Sequence, residues 1–325
     1  MNFGSPLPRG QHGASLQPEW SQLGAWRDAL AQCARKPSRK RVHLLRSLTL
    51  RVRTALEFRL LEQAPQPAAA RSFDRWKKEG RKLRRVLEPV RDADAYLARL
   101  GGLPKSVTGS IGGEPQPSPR CLREMVKLED RLGRQRMKGN EKIIAAMNDR
   151  GNRLNRLSLE MEAALVPRMP SNPGLAAQEA LRILTGLAGE LPTLDSANLH
   201  DWRKRLKQAL YLAEISSASS PAARRLAASI KKMHSAVGEW HDWQALALLA
   251  ARVLPGHGKP DGVVPVLNKL AEEALTKALA LCRQSTPRIL SSAGESWPSQ
   301  RRKPVASVPV SAQFANGTNL RVSSL

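Results

Sequence analysis

The chain has 325 residues, enough for one large domain or two smaller ones. Its 53 Lys and Arg outnumber 28 Asp and Glu, which gives a formal net charge of +25. An excess of this size indicates a polyanionic partner such as nucleic acid, an anionic membrane or a phosphate polymer. Aromatic residues make up only 4% of the chain, which argues against a protein that stacks single-stranded bases on aromatic rings.

Cysteine usage and hydropathy indicate a cytoplasmic protein. Cys33, Cys121 and Cys282 are far apart and odd in number, so neither a disulfide framework nor a metal site is expected. The first residues lack the basic head and apolar run of a signal peptide. The most apolar stretch, 245–254, is interrupted by Arg252 and is much shorter than the ~20 residues that span a bilayer. We therefore expect no membrane partner.

Both ends of the chain contain too few apolar residues to offset the entropy of ordering them. Residues 1–19 and 286–325 are therefore predicted to be disordered tails. Residues 20–285 are predicted to form one all-α domain, because apolar residues recur at helical spacing and alternating strand patterns are absent. Its two halves are expected at about 20–166 and 174–285.

Glycine and proline divide this domain further. They predict loops at 101–119, 167–173 and 255–265. A helix break is expected near Gly139, and a last amphipathic helix is expected over 267–282.

A sparse internal repeat is the strongest pattern in the sequence. At an offset of 157 residues, His43 and Arg46 correspond to His200 and Arg203, and each pair lies near the start of an amphipathic helix. At an offset of 150, a second group of residues corresponds: Arg75, Arg81, Lys82 and Asp92 match Arg225, Lys231, Lys232 and Asp242. Since a repeated unit usually buries its apolar face against its copy, we predict two similar halves about a pseudo-two-fold axis. The two histidine helices should then lie together at the centre.

Cationic side chains collect on one face of each histidine helix. At 100° per residue, the first face carries Arg39, His43, Arg46 and Arg53. The second carries His200, Arg203, Lys204, Lys207 and Tyr211. Residues 35–59 hold nine Lys and Arg against Glu57 alone. Helix faces in water gain ~0.2–0.5 kcal/mol per opposite-charge pair, whereas like charges at these spacings repel. The missing counter-charge favours an anionic ligand over a merely solvated face.

At these positions the sequence resembles the conserved histidine α-helical domain family, called CHAD. The family has an early helix of the type V-H-x-x-R-x-x-x-x-R-x-R and a later one of the type L-H-x-x-R-x-x-x-K-x-x-x-Y-x-x-E. It also has R-D or H-D near the start of a helix in each half. The matching residues are Val42, His43, Arg46, Arg51 and Arg53; Leu199, His200, Arg203, Lys207, Tyr211 and Glu214; Arg91 and Asp92; and His241 and Asp242. The resemblance spans about residues 20–285.

The resemblance implies an internally duplicated helical bundle that binds inorganic polyphosphate on a basic surface or in a central cavity, without catalytic activity or a cofactor. No E-x-E-x-K strand motif of an accompanying triphosphate-tunnel hydrolase is found, so a stand-alone CHAD protein is expected. Leu50 and Leu210 depart from the family, which often has basic residues there. The candidate polyphosphate-binding residues are Arg39, His43, Arg46, Arg51, Arg53, Lys82, His200, Arg203, Lys204, Lys207, Tyr211 and Lys232.

Other functions stay open at this point. Non-specific binding of nucleic acid is the alternative, because the same positive charge attracts DNA and RNA. Phosphotransfer through His43 or His200 has less support, since no acid–base partner or carboxylate cluster accompanies them. Each histidine is expected to bind phosphate or to orient a ligand, and a structural role that links helices is the alternative. Asp92 and Asp242 are expected to be structural, either as helix caps or as partners of neighbouring arginines, and a metal is not expected. The location is expected to be the cytoplasm, with polyphosphate granules left open.

Overall fold

The computed structural model describes residues 18–62, 67–103, 118–165, 173–218, 220–254 and 259–296. These ranges contain α-helices, one short 3₁₀ turn and no strand, so the predicted all-α class is confirmed. The helices are α1 (Pro18–Arg35), α2 (Arg39–Glu62), α3 (Pro67–Gly101), α4 (Pro119–Leu165), α5 (Pro173–Gly189), α6 (Leu199–Ser216), α7 (Pro221–Val253) and α8 (Val263–Ser296).

Local sequence signals explain where these helices begin. Five of the eight start with proline, whose fixed φ suits the first turn and whose missing N–H has no partner there in any case. The hydroxyl of Ser220 accepts a hydrogen bond from the backbone N–H of Ala223 and caps α7. Ser38 caps α2 in the same way, by accepting from the backbone N–H of Arg41 at 3.4 Å. α6 has Asn198 at its N-cap, with no side-chain hydrogen bond to the helix.

The two halves of the chain repeat one pattern of helix contacts. In the first half, α1 packs on α2, α2 on α3, α3 on α4, and α1 on α4; α5 to α8 pack on one another in the same order. Between the halves, α2 contacts α6, α3 contacts α7 and α4 contacts α8. The helices that carry His43 and His200 therefore lie side by side, as the repeat predicts. The contacts agree with a pseudo-two-fold arrangement, while the duplication itself stays a prediction.

The expected helix break near Gly139 is wrong, because α4 continues through it from Pro119 to Leu165. Gly139 is buried where α4 crosses α3. A Cβ at this position would lie 2.4 Å from Cγ2 of Val90. The glycine therefore allows two long helices to approach each other closely and does not interrupt the helix.

The boundary of the C-terminal tail also needs correction. The last helix covers 263–296, so it exceeds the predicted 267–282 and continues into the segment that was predicted to be disordered. Thr286 is fully buried and Ala293 is nearly so, and the Thr286 hydroxyl lies 3.5 Å from the sulfur of Met233 on α7. These small residues bury well despite their weak apolar signal.

Several predicted loops and tails fall outside the described residues. They include 1–17, 297–325, most of the predicted loops at 101–119 and 167–173, and residues 255–258 of the predicted loop at 255–265. The end of that last loop was predicted wrongly, because α8 already begins at Val263. Within the described residues, none of the helices α1 to α8 combines the length and the apolar character needed to cross a bilayer.

Substitution of Gly139 tests the close approach of α3 and α4. Gly139→Ala should lower the free energy of unfolding by about 1–3 kcal/mol, because the new methyl group overlaps Val90. Gly133→Ala on the same helix is the matched control, since a Cβ at that position would have nothing within 4 Å. The control substitution should stabilise the protein by about 0.5–1 kcal/mol through helix propensity. Urea denaturation measures both, and equal effects at the two sites would contradict the assignment.

Candidate functional site

Cationic side chains from four helices meet where the two halves join. They interact electrostatically with one another across α2, α3, α6 and α7. We call them the central cluster: Arg46, Arg84, Arg91, Arg203, Lys207, His234 and His241. The halves therefore bring positive charge, rather than opposite charges, to the middle of the molecule.

Some hydrogen-bonding atoms of the central cluster lack a partner. The Nε atoms of Arg46 and Arg203 and Nε2 of His234 are buried without a hydrogen bond to any described residue. Leaving such a group unsatisfied costs about 1–3 kcal/mol, and more when it is charged. Arg203 lies against α7, with Nη2 3.6 Å from the position that a Cβ on Gly238 would take. The small Gly238 thus leaves room for the guanidinium.

Burial and mutual repulsion act on the charges of the cluster. Burial, followed by the positive charges of Arg46 and Arg203, holds the pKa of Lys207 well below its usual range. Burial, followed by the charge of Arg91, lowers the pKa of Arg203 to about 10. The pKa of Arg84 also falls to about 10, through burial and then the charge of Arg53. Arg84, Arg203 and Lys207 therefore concentrate positive charge that is destabilised by burial and by neighbouring cations.

The central histidines are neutral in this environment. Burial, followed by the charge of Arg203, lowers the pKa of both His234 and His241 to about 3. The ring of His241 lies 5.1 Å from that of His200, which links α7 to α6. Burial and then Lys204 lower the pKa of His200. An anion bound among these rings would raise their pKa values and favour the charged forms.

The acids near the site hold arginines in place. Arg46 donates from Nη2 to Glu88 at 3.2 Å. Arg91 donates to Asp92 at 2.7 Å and lies 3.7 Å from Asp242 on the opposite half. The two aspartates of the R-D and H-D motifs are thus partners of an arginine, as expected from the sequence. Their geometry fixes the direction in which that arginine points.

A cavity of about 510 Å³ opens beside the central cluster. Arg39, His43 and Arg99 line it together with Arg91, which belongs to the cluster as well. Asp94 and Asp242 contribute carboxylates to its wall. His43 is one of the exposed residues of this wall. The part of its side chain that is buried and, second, the positive charge of Arg91 nevertheless lower its pKa. Through Arg91, the wall of this cavity therefore includes one residue of the central cluster.

The structure brings together some of the predicted site residues. Arg46, Arg203 and Lys207 belong to the central cluster, while Arg39, His43 and His200 lie at its edge. The buried ring of Tyr211 separates two cations: its centroid is 5.7 Å from Nζ of Lys207 and 5.6 Å from Cζ of Arg51.

Three other predicted residues are committed to acids. Arg51 makes a two-pronged pair with Glu214, from Nε at 2.7 Å and from Nη2 at 2.9 Å, which ties α2 to α6. Arg53 donates to Glu57 at 3.0 Å on its own helix. The exposed Lys204 pairs with Asp201 at 2.8 Å. These residues support the site or surround it.

The structure does not bring Lys82 and Lys232 to the cluster. Each lies nine residues before a cluster member, Arg91 or His241, which is about half a turn of helix away in direction. Lys82 instead pairs with the buried Glu79 at 2.9 Å, and Lys232 is exposed. The sequence interpretation selected these two lysines from their correspondence in the repeat, which does not show which face of a helix points towards the other half.

Four members of the central cluster were not among the predicted site residues. Arg84 and Arg91 on α3, and His234 and His241 on α7, are each seven residues apart and so share a face. The offset of 150 residues that relates the two halves also relates Arg84 to His234 and Arg91 to His241. That correspondence is the sequence signal that could have found them.

Comparisons with known proteins agree with the fold. The family model of the CHAD domain matches residues 19–251. Among solved structures, the chain is similar to the crystal structure of the CHAD domain from the plant Ricinus communis, with a TM-score of 0.57 and 15% sequence identity. The similarity covers 83% of this chain and 89% of that one. At this identity it shows the fold alone. A search of curated proteins found no match.

The neutral histidines predict how stability depends on pH. The folded pKa values of His234 and His241, about 3, lie below the unfolded value of 6.5. The stability that these neutral histidines contribute to the fold is therefore fully present above pH 6.5 and is lost as the pH falls towards 3. Lowering the pH from 7 to 5 should reduce the free energy of unfolding by on the order of 1–2 kcal/mol for each histidine whose folded pKa stays at about 3. Urea unfolding of the wild type and of His234→Asn with His241→Asn checks this. An equally steep pH dependence in the double variant would contradict it.

Proposed function

The chain belongs to the CHAD family, and from this premise we propose that it binds inorganic polyphosphate in the central cluster. One observation carries the proposal: four arginines and a lysine from both halves converge with buried donors that no described residue satisfies. Folding such a group without a counter-ion is unfavourable, so an anion is the partner that the arrangement lacks.

The chemistry of the cluster suits phosphate oxygens. A guanidinium donates two parallel hydrogen bonds to one phosphate group, and an ammonium adds a point charge. Arg46 and Arg203 each keep a buried Nε donor for this purpose. Neutral His234 and His241 can become additional donors once bound anion raises their pKa. A polyanion is favoured over a single phosphate because the cations extend from Arg39 in the cavity through Arg91 into the cluster.

The site offers little for the recognition of bases. The tryptophans whose side chains the structure describes are all buried: Trp26, Trp76, Trp202, Trp240 and Trp243. They serve as core residues and cannot act as platforms for bases. Polyphosphate has no bases and is a thin chain that can enter between helices, whereas a duplex presents its phosphates on a rigid cylinder. Exposed cations elsewhere, such as Arg123 and Lys127 on α4, would still attract nucleic acid at low salt.

The proposed role is binding without catalysis. Phosphotransfer to a histidine would need a general base or a metal beside the nucleophile. Within the described residues, no three His, Cys, Asp or Glu lie together as metal ligands. The neighbours of His43 and His200 are chiefly cations, which suit the binding of phosphate better than the removal of a proton.

Competition between polyanions tests the choice of ligand. The protein should bind immobilised polyphosphate and be displaced by free polyphosphate much more readily than by duplex DNA at equal phosphate concentration. The preference should persist as salt is raised through about 200 mM, because buried contacts are screened less than surface contacts. Surface plasmon resonance measures both. Equal displacement by DNA across the salt series would instead favour the non-specific nucleic-acid alternative.

Charge reversal tests the location of the site. Arg46→Glu with Arg203→Glu should lower polyphosphate affinity at least about tenfold, and the slope of log affinity against log salt should flatten by ~0.7–0.9 for each lost contact. Arg123→Glu with Lys127→Glu is the matched control, since it reverses two exposed charges on α4, a helix that contributes no residue to the cluster. Its affinity should stay within about threefold of the wild type.

Arg203→Gln serves as a folding control for this experiment. Because Arg203 is repelled by its neighbours, its loss should leave the melting temperature of the free protein unchanged or raise it. A folded charge-reversal variant that binds polyphosphate like the wild type would contradict the proposed site.

A further inference from the structure

We propose that Lys207 is an acylation site for small acyl phosphates, which the central cluster attracts through their phosphate group. The inference extends the anion-binding role proposed above to a modification of the same site. It starts from a difference between Lys207 and the other lysines on neighbouring helices.

Three of those lysines are held in ion pairs. Nζ of Lys77 lies 2.8 Å from Glu57, and Nζ of Lys82 lies 2.9 Å from Glu79. Lys204, one turn before Lys207 on α6, pairs with Asp201 at 2.8 Å. A carboxylate at such a distance stabilises the protonated ammonium, which has no lone pair and cannot act as a nucleophile.

Lys207 has the opposite environment. The described residues give it no carboxylate ion pair, and its Nζ lies 5.7 Å from the centre of the Tyr211 ring. The charged and titratable groups that face it come from all four central helices: His43 and Arg46 on α2, Arg84 and Arg91 on α3, Arg203 and Tyr211 on α6, and His234 on α7. Half-buried among these cations, the amine has a pKa well below its usual range, so a larger fraction of it carries a lone pair than of an ordinary lysine at the same pH.

The same cations would orient a reagent. The phosphate group of an acyl phosphate would bind the guanidinium groups of Arg46 and Arg203, whose Nε donors are otherwise unsatisfied. The acyl carbon is one oxygen atom away from the phosphorus, so binding of the phosphate brings that carbon close to the Lys207 amine. Proximity of this kind raises the rate of a reaction that is otherwise bimolecular.

The step is a simple acyl transfer. The lone pair of Nζ attacks the carbonyl carbon, a nitrogen–carbon bond forms, and the carbon–oxygen bond to phosphate breaks. Inorganic phosphate leaves with that bonding pair, and the surplus amine proton passes to solvent. The product amide is uncharged, so acylation removes one positive charge from the cluster and should weaken the binding of polyanions.

Acetyl phosphate is the probe for the test. The full-length protein is incubated with it from about pH 7 to pH 9, and the acetylation rate of each lysine is followed by peptide mass spectrometry. Lys207 should react at least about tenfold faster than Lys204 and Lys232, and its rate should reach its half-maximum at a lower pH. The uncharged donor N-acetoxysuccinimide should show a much smaller preference for Lys207. Arg203→Gln should reduce acetylation of Lys207 by acetyl phosphate while leaving Lys232 unchanged.

Two outcomes would overturn the inference: a rate at Lys207 no higher than at Lys204, or an equal preference for Lys207 with the uncharged donor. Polyphosphate affinity is measured separately on untreated protein. Selective acetylation of Lys207 by acetyl phosphate supports the inference even if polyphosphate does not bind, in which case only the proposed function fails. Normal polyphosphate binding without selective acetylation overturns the inference alone.

Discussion

Repulsion between like charges at the junction of the two halves is the constraint on which the rest of the structure depends. Arg46, Arg84, Arg91, Arg203 and Lys207 lie together, partly out of water. Burial and the charges of their neighbours lower the pKa values of Arg84, Arg203 and Lys207. The apolar cores must hold them there. Two large clusters of buried side chains do so, one centred on α1 to α4 and one on α5 to α8. The fold therefore uses part of its packing energy to keep a charged site assembled before any ligand is bound.

Ion pairs across the junction keep the halves in register despite this repulsion. Arg51 on α2 binds Glu214 on α6 through two hydrogen bonds. Arg99 on α3 pairs with Glu239 on α7 at 3.0 Å, and its guanidinium lies 5.5 Å from the ring centre of Trp243. These contacts lie to the side of the cluster and are directional. They fix the relative positions of the helices without neutralising the cations that face the ligand.

The sequence predicted the face of the histidine helices because their motif is local. His43 and Arg46, and their counterparts His200 and Arg203, are three residues apart, and helical periodicity alone places each pair on one side. The inward-facing side of α3 and α7 was harder to predict, because both helices carry cations on several sides. Only their contacts with α2 and α6 show that Arg91 and His241 point towards the cluster. Lys82 was chosen for its spacing from other cations, which does not say which face is covered.

Other differences also come from tertiary contacts that a single sequence does not display. Gly139 was interpreted as a helix break, whereas in the structure Val90 on α3 occupies the space of its missing side chain. Thr286 was interpreted as part of a polar tail, whereas in the structure it is buried against α7. The acidic motif residues Asp92 and Asp242 were predicted correctly as arginine partners. Their role follows from their negative charge and from the basic residue directly before each of them, and both features are visible in the R-D and H-D motifs.

The central claim is that the folded protein holds mutually repelling cations together and that a bound polyanion relieves their repulsion. Isothermal titration calorimetry of polyphosphate binding near pH 7, in buffers that differ in ionisation enthalpy, measures the protons exchanged on binding. Lys207, His234 and His241 have depressed pKa values in the free protein, and a bound polyanion should raise them. The account predicts net proton uptake that diminishes in Lys207→Gln. Binding without proton uptake, or with proton release, would contradict it.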